Sequence, residues 1–365
     1  RLGDQQHPRV AGRRIRQTVT HDNENKGVRK RSGRFFSFRM RKNVLLGFSG
    51  GIDSTAAARY LAEQGHAVTL LTLDTVGEEG LETRIRQAAG RLIVRYFTGS
   101  YLRGETPAPC TRCNPRVKWK TLYDIARREH YDHIATGHYF RVRCENGKYF
   151  VRTAADPAKD QSYYLWGLSQ EYLRIALTPM GERIKKAVTA SLPSALRSRE
   201  SMGVCFLQGL SYSEFLKTQV PGIVPGEIVD ARGKTIGRHD GCAFYTIGQK
   251  RGLRTDSGEP VVVTGIDAAR NRVTAGCDAD LFYRRLTVRE FCAADPQRLT
   301  DSQTVRVKIR GVGRNPEGYA RVRIDGQSLL VELREPAWAP AKGQPVVFYD
   351  GDLVVGGGIL ADCRR

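Results

Sequence analysis

Residues 43–54 read NVLLGFSGGIDS, and this stretch decides the fold. It opens with a short, mostly apolar run, as expected for a strand buried on both faces of a parallel sheet. A Gly/Ser turn follows, and TAAARYLAEQG at 55–65 predicts a helix that ends at its glycine. A second apolar run, AVTLLTLD at 67–74, completes a β-loop-α-β unit. This order predicts a right-handed crossover and therefore a doubly wound α/β domain.

The turn between the first strand and the helix has the composition of an anion-binding loop. Its polar groups come from Ser49, Gly50, Gly51 and Ser54. At the N-terminus of a helix, their N–H groups and hydroxyls suit a phosphate. No lysine follows the glycines, which excludes a Walker A loop, and the spacing differs from G-x-G-x-x-G. The alternative is an incidental turn in which Asp53 caps the helix.

One expected strand is missing after this unit. VKWKTLYDIARREH at 117–130 predicts a helix, and HIATGHY at 133–139 predicts a strand that ends in a loop. Between 80 and 107, GLETRIRQAAGRL leads directly into IVRYFTGSYLRGETP, so two helical patterns follow each other. A parallel strand needs a crossover of about a dozen residues plus its own length. Either the strand is deleted, or residues are missing around Leu92–Ile93.

From about residue 212 the pattern becomes all-β. RIDGQSLLVEL at 323–333 and VVFYDGDLVV at 346–355 predict hairpins with Asp-Gly turns. We expect two small barrel-like domains in this part of the chain. The predicted organisation is a disordered basic extension at 1–39, an α/β catalytic domain at 40–212, a central β-rich domain at 213–282 and a C-terminal β-barrel at 283–365.

The charge balance points to a nucleic-acid partner. The chain has 59 Lys+Arg against 38 Asp+Glu, a net charge of +21, although a basic surface can also be merely solvated. Residues 1–39 carry eleven Lys/Arg against three Asp/Glu and show no periodicity. No run approaches the ~18 apolar residues of a membrane span. Without a secretion signal, the eight cysteines predict a reducing, cytoplasmic location and no disulfide framework.

Three cysteines stand out from the other five. Cys110 and Cys113 form a C-x-x-C in TPAPCTRCN at 106–114, a spacing that zinc sites, redox pairs and clusters all use. Cys205, in SMGVCFL at 201–207, has apolar neighbours, and a cysteine in such a setting is usually part of a core.

Two short motifs carry candidate binding residues. Gly137 and His138 follow a predicted strand, at the sheet edge where ligands bind in open α/β folds. A histidine there is also often a structural hydrogen-bonding group. KDQSYYL at 159–165 places three polar residues before an aromatic, strand-like run. Its lysine suits a phosphate and its glutamine suits a base edge, although an exposed polar turn is the ordinary alternative.

These motifs occur in one order in a known family. S-G-G-x-D-S after a strand resembles the pyrophosphate loop (PP-loop) of the ATP-pyrophosphatases, which cleave ATP to AMP and pyrophosphate. FSGGIDS, TPAPCTRCNPRVKWK, ATGHY, KDQSYYL, SMGVCFL, YTIGQKRGL and FYDGDLVVGGGIL together resemble the bacterial tRNA-specific 2-thiouridylases, from about Met40 to the C-terminus. That family has an ordinary strand where this sequence lacks one, so we expect a break in the chain near Leu92–Ile93.

The resemblance implies a three-domain PP-loop enzyme that replaces the C2 oxygen of the wobble uridine with sulfur, in tRNAs for Lys, Glu and Gln. ATP, with Mg²⁺, would adenylate the uridine O2, and sulfur would then attack C2. The partners would be tRNA, bound in part by the central domain, and a sulfur source. That source would be a cysteine desulfurase, a sulfur-relay protein or inorganic sulfide.

The resemblance also assigns residues. The ATP-binding set is Gly47, Phe48, Ser49, Gly50, Gly51, Ile52, Asp53, Ser54, Leu73 and Gly137, with Asp53 also placed among the catalytic residues. The tRNA-binding set is Ala108, Pro109, His138, Lys159, Asp160, Gln161, Arg310 and Gln344. In the common version of the family, Cys205 carries a persulfide and Cys113 attacks it or closes a disulfide. A thiolate is needed for either role, and basic surroundings are expected to favour one.

This sequence departs from the family pattern at one position. The usual Asn-Pro-Asp is Ala108-Pro109-Cys110 here, so a candidate acid/base is lost and a third thiol is gained. Cys110, Cys113 and Cys205 are then candidate ligands of a 4Fe–4S cluster with one open iron, which could hold hydrosulfide. We favour this interpretation over a persulfide alone, and zinc is the weaker alternative.

Two other functions compete with tRNA thiolation. One is a PP-loop enzyme that adenylates a small molecule, against which the basic β-rich domains and the Lys-Asp-Gln triplet count. The other is a non-catalytic RNA-binding protein with a vestigial nucleotide fold, against which the intact loop sequence counts.

Overall fold

The computed structural model describes residues 41–72, 81–193, 203–256 and 261–365. The predicted extension at 1–39 and the candidate residue Leu73 lie outside these ranges. None of the described helices is long and apolar enough to cross a membrane.

Sixteen strands and eight α-helices make up the described part of the chain. The strands are β1 (Asn43–Phe48), β2 (Ala67–Thr72), β3 (His133–Thr136), β4 (Arg141–Glu145), β5 (Lys148–Arg152), β6 (Ala176–Leu177), β7 (Gly226–Val229), β8 (Thr235–His239), β9 (Val262–Asp267), β10 (Arg272–Gly276), β11 (Phe282–Ala293), β12 (Val305–Lys308), β13 (Ala320–Asp325), β14 (Ser328–Trp338), β15 (Pro345–Asp350) and β16 (Leu353–Arg364). The helices are α1 (Ile52–Glu63), α2 (Leu81–Leu102), α3 (Cys110–Cys113), α4 (Trp119–Arg128), α5 (Gln170–Arg174), α6 (Lys185–Ser191), α7 (Tyr212–Gln219) and α8 (Pro296–Asp301).

A parallel four-stranded sheet in the order β2-β1-β3-β6 forms the centre of the N-terminal part. Strand β1 is central, and its residues Val44 and Leu46 are fully buried because elements cover both faces of the sheet. Helix α1 packs against it through small residues such as Ala56 and Ala57, which let the helix lie close. The predicted β-loop-α-β unit is therefore confirmed.

The region of the missing strand is a single helix. Helix α2 runs from Leu81 to Leu102 without interruption at Leu92–Ile93. The expectation of a break there is therefore wrong. Among the described residues, no strand lies between β2 and β3, which agrees with the other alternative, a deleted strand.

Two sheets with mostly antiparallel strands follow the α/β part. This agrees with the β-rich pattern predicted from about residue 212 onward. The first has the order β8-β7-β10-β9 around a small core that contains Ile228, Val263 and Val273. The second has the order β12-β15-β16-β11-β14-β13 and a larger core. Both predicted hairpins are present in this last sheet. Their turns begin at Gly326 and Gly351, whose φ angles of +56° and +60° suit glycine.

One hairpin was not expected from the sequence. Strands β4 and β5 pair with each other, and β5 also pairs with β16 of the last sheet, with Arg152 opposite Leu353. Phe150 of β5 accordingly belongs to the core of that sheet. Because a segment from the first half of the chain completes the last sheet, the domain limits derived from the sequence stay predictions.

Candidate active site

Hydrogen bonds of the Ser54 hydroxyl hold the Gly/Ser loop between β1 and α1 in a compact turn. Ser54 Oγ donates to the carbonyl of Gly51 at 3.0 Å and accepts from the backbone N–H of Ser49 at 3.2 Å. Gly50 has a φ of +74°, which an L side chain rarely adopts. Gly51 precedes α1 and has no side chain to cap it, so the N–H groups of the first turn suit an anion.

The end of β3 lies directly against this loop. A Cβ atom on Gly137 would stand 2.8 Å from the backbone nitrogen of Ser54 and 2.9 Å from the carbonyl carbon of Asp53. Backbone atoms cannot move aside cheaply, so the position requires glycine. Packing thus places Gly137 against the Gly/Ser loop. Its predicted contact with a nucleotide stays a prediction.

Asp53 is engaged by two groups that lie far from it in the sequence. Its Oδ1 accepts from Lys185 Nζ at 2.7 Å and from the Tyr139 hydroxyl at 2.9 Å. Burial, together with the charge of Asp53, raises the pKa of Tyr139 above its ordinary value, so this phenol stays a donor. Sequence reasoning missed Lys185, because one lysine in an ordinary basic stretch gives no spacing signal.

The Lys-Asp-Gln triplet at 159–161 is hydrogen-bonded to the segment that follows β3. The Asp160 carboxylate accepts from the backbone N–H of Ala154 and from the Ser162 hydroxyl, at 3.0 Å and 2.7 Å. Gln161 Oε1 accepts from the Tyr139 N–H at 2.9 Å, which joins the triplet to the Gly-His-Tyr motif. The following residues form a 3₁₀ turn over Ser162–Tyr164, so the prediction of a strand there is wrong.

His138 is held in its neutral form beside the loop. Its Nδ1 lies 2.8 Å from Thr136 Oγ1. Burial lowers its pKa to about 3, and the positive charge of Lys118 acts in the same direction. At neutral pH, His138 is therefore an uncharged hydrogen-bonding group.

The three cysteines singled out from the sequence line one cavity of about 380 Å³. Cys110 and Cys113 are the first and last residues of α3, and Cys205 comes from a separate 3₁₀ turn. Cys113 is buried, whereas Cys205 is exposed. Pro109 and Lys118 also line this cavity. The structure thus brings together thiols that are more than ninety positions apart in the sequence.

The surroundings do not favour a thiolate in the free protein. Burial raises the pKa of the Cys113 thiol to about 11; Lys118 opposes this shift, and the neighbouring thiols add to it. Burial raises the pKa of Cys110 in the same way. The expectation that basic surroundings lower these pKa values is therefore wrong, because burial outweighs the effect of the Lys118 charge.

The three thiols are candidate ligands of a metal cluster. Thiolates are the donors that iron–sulfur clusters use. Within the described ranges, however, no three His, Cys, Asp or Glu side chains form a group that could hold a metal ion. The three thiols share a cavity, and their ligation of a cluster stays a prediction.

The candidate tRNA residues Arg310 and Gln344 line a second cavity, of about 530 Å³. The Arg310 guanidinium donates to the carbonyls of Trp338, at 2.9 Å, and Ala339, and it stacks on the Trp338 ring. Gln344 Oε1 accepts from the Ala341 N–H at 3.0 Å. These contacts give both residues a structural role.

The two cavities are joined by a short piece of chain. Thr106 lines the second cavity, and Pro109 lines the cavity of the cysteines. Ala108 lies between them, and its carbonyl accepts from Thr111 N–H at 3.1 Å in the turn that begins α3. The candidate tRNA residues Ala108 and Pro109 therefore lie beside the thiols.

Comparison with known proteins agrees with this arrangement. Three family models match the chain: a tRNA methyl transferase HUP domain at 42–91 and 82–209, a tRNA methyl transferase PRC-barrel domain at 213–276, and an aminomethyltransferase β-barrel domain at 284–360. The two parts of the first match overlap at residues 82–91, in the first half of α2, where the sequence lacks the expected strand.

Curated relatives match nearly the whole chain. A protein of Clostridium acetobutylicum named tRNA-specific 2-thiouridylase MnmA is 34% identical over 355 residues, which cover 88% of this chain and 100% of the relative. The chain belongs to the tRNA-specific 2-thiouridylase family. Proteins of that name from Phocaeicola vulgatus and Chlorobaculum tepidum are 38% and 36% identical, and the matches cover 87% and 88% of this chain and 97% and 95% of theirs. The 2-thiouridylase resemblance inferred from the motifs is confirmed, and with it the assignment as an enzyme.

Proposed function

We propose that this protein uses ATP to replace the C2 oxygen of a tRNA uridine with sulfur. The observation that carries the proposal is the cavity shared by Cys110, Cys113 and Cys205 in the domain that holds the Gly/Ser loop of residues 47–54. Lys118 lines that cavity, and its positive charge lowers the pKa of His138. His138 directly follows Gly137, which packs on the loop. Thiols and nucleotide loop therefore belong to one region of the α/β part.

The reaction divides into two steps. The uridine O2 attacks the α-phosphate of ATP held at the loop of residues 47–54, and pyrophosphate leaves with the electron pair of the broken bond. Sulfur then attacks C2, and AMP leaves with the former O2. Mg²⁺ usually binds through one or two carboxylates and substrate phosphates, and Asp53 offers such a carboxylate. When bound there, Mg²⁺ would neutralise charge on the phosphates.

We propose that cysteines carry the sulfur, since the exposed Cys205 and the buried Cys113 line the same cavity. The thiolate of the exposed Cys205 attacks the outer sulfur of a persulfide on a sulfur-donor protein, which forms the Cys205 persulfide and releases the donor as a thiol. Inorganic sulfide bypasses this step and attacks C2 directly. Cys113 then attacks the inner sulfur of that persulfide, which releases sulfide towards C2 and leaves a Cys113–Cys205 disulfide. An external thiol reductant restores both cysteines. This route reverses the preference for a cluster that the sequence suggested.

The remaining assignments concern tRNA. Lys159, Asp160, Gln161 and His138 lie near the loop, and Ala108 and Pro109 lie beside the thiols, so they form one candidate surface for the anticodon. Arg310 and Gln344 extend it to the second cavity. The target is the wobble uridine of the tRNAs for Lys, Glu and Gln, and a cytoplasmic location follows from that substrate.

The experiment that tests the function is an assay for 2-thiouridine. The purified protein is incubated with a tRNA transcript, sulfide and a thiol reductant, with or without ATP, and the nucleosides are identified by mass spectrometry. We expect 2-thiouridine only with ATP. C113A and C205A should abolish its formation when a persulfide donor supplies the sulfur, whereas C144S, at an exposed cysteine outside the cavity, should leave it unchanged. No 2-thiouridine from any of the three tRNAs would refute the proposal.

A second measurement separates persulfide from cluster. C110D restores the acidic residue of the common family pattern. We expect it to keep the activity, and we expect no iron in wild-type protein purified without oxygen. Bound iron that is lost in C110D together with the activity would instead support the cluster.

A further inference from the structure

Lys185 is a buried cation that is held through both its backbone N–H and its side-chain ammonium group. It is the first residue of α6, and its side chain is only 9% exposed. Its backbone N–H donates to Asp156 Oδ2 at 2.8 Å, and its Nζ lies 2.7 Å from Asp53 Oδ1. A buried ammonium group is costly unless it is paired, so this placement needs the carboxylate beside it.

The nucleotide loop needs a positive charge that its own residues do not supply. Residues 47–54 contain no Lys or Arg, and Asp53 adds a negative charge in the first turn of α1. An anionic carboxylate at the mouth of an anion site repels the phosphates of ATP. The ion pair with Lys185 cancels that repulsion. It also keeps an ammonium group in contact with the loop.

We propose that Lys185 is the cation that binds the pyrophosphate part of ATP and stabilises the leaving pyrophosphate. The proposal rests on the ATP-dependent function given above. In the free protein, Lys185 neutralises Asp53. With ATP bound, its Nζ donates to phosphate oxygens, while the Tyr139 hydroxyl still holds Asp53 Oδ1.

The role requires no proton transfer. When the bond between the α- and β-phosphates breaks, pyrophosphate takes the electron pair and gains negative charge. A fixed ammonium group stabilises this charge more than it stabilises bound ATP, and such differential stabilisation accelerates the step.

The test compares binding of inorganic pyrophosphate and of AMP by titration calorimetry. K185M should bind pyrophosphate at least tenfold more weakly than wild type, whereas AMP affinity should change less than twofold. K185R, which keeps the charge, should recover part of the affinity. K186M is the matched control, because Lys186 is the next residue and is exposed, and it should behave as wild type.

A second variant separates binding from a purely structural role. D53N/K185M removes both charges of this ion pair. If Lys185 only compensates Asp53, the double variant should bind pyrophosphate as wild type does, and that result would overturn the proposal. Equal weakening of AMP and pyrophosphate in K185M would also overturn it, as would a wild-type protein that binds no pyrophosphate. Failure of the thiolation assay in a wild-type protein that binds pyrophosphate would count against the function alone.

Discussion

Arg112 Nη2 lies 2.6 Å from Glu290 Oε2, and this ion pair ties the turn that carries Cys110 and Cys113 to the last sheet. Arg112 is buried, and its guanidinium stacks on the ring of Tyr96. Glu290 has a φ of +48°, at a point where the pairing of β11 with β16 shifts register. A side chain rarely adopts this backbone conformation, so packing around it must hold it in place.

Removal of this carboxylate should loosen the turn. We expect E290A to lower the free energy of unfolding by about 1–3 kcal/mol, because Arg112 stays buried without its partner. Cys113 should also react faster with iodoacetamide. Urea unfolding and peptide mapping measure the two effects. D362N, which removes an exposed partner of Lys342, should cost no more than about 1 kcal/mol. A wild-type alkylation rate in E290A would show that the ion pair does not hold the turn.

A methyl group at position 137 should separate β3 from the nucleotide loop. We expect G137A to weaken ATP binding at least tenfold and to lower stability by about 1–3 kcal/mol, because its Cβ would meet backbone atoms of Asp53 and Ser54. G99A is the control. A Cβ at Gly99 meets only the flexible end of Arg103, at 3.4 Å, and alanine suits a helix. Unchanged ATP affinity in G137A would contradict the packing argument.

The neutral state of His138 should make stability depend on pH. Its folded pKa of about 3 lies below the unfolded value of about 6.5, so the unfolded state takes up a proton first as the pH falls. The contribution of neutral His138 to the free energy of unfolding is complete above about pH 6.5, and it decreases as the pH falls towards 3.

We expect H138Q to show a shallower loss of unfolding free energy between about pH 7 and 5 than wild type. Urea unfolding at several pH values measures this loss. H130N, at an exposed histidine with a φ of +57°, should keep the wild-type slope, since asparagine tolerates that conformation. Equal slopes in wild type and H138Q would mean that His138 does not titrate as proposed.

Lys159 should contribute one electrostatic contact to tRNA. We expect K159A to bind tRNA more weakly at low salt, and to reduce the slope of log affinity against log salt by about one. Filter binding over a range of salt concentrations gives both values. K120A is the control, because Lys120 is exposed and paired with Asp124 at 2.7 Å, and it should keep the slope. The same slope in K159A and wild type would remove Lys159 from the contact surface.

Local patterns in the sequence predicted local structure well. The run NVLLGF is a buried parallel strand, the Gly/Ser loop precedes a helix, and both Asp-Gly hairpins are present. Each depends on residues a few positions apart, whose backbone preferences are readable from composition. The aromatic run after Gln161 was predicted as a strand and forms a 3₁₀ turn, because Tyr163 donates to the carbonyls of Ile309 and Pro345 instead of lying in a sheet.

Contacts across long sequence separations could not be predicted in this way. Lys185 pairs with Asp53 across 132 positions, and Arg112 pairs with Glu290 across 178. The addition of β5 to the last sheet is of the same kind. No spacing encodes such pairs, since they arise only when separate elements pack.

The sequence by itself determined the order of the motifs, the family and the presence of a third thiol at Cys110. The tertiary structure decided what those residues can do: it brings Cys205 to the C-x-x-C turn, places Lys185 at Asp53, and buries the thiols of Cys110 and Cys113 so that their pKa values rise. The physical reason is that residue type sets the chemistry a side chain can perform. Its neighbours and its burial in the folded chain then set its charge state and its partners.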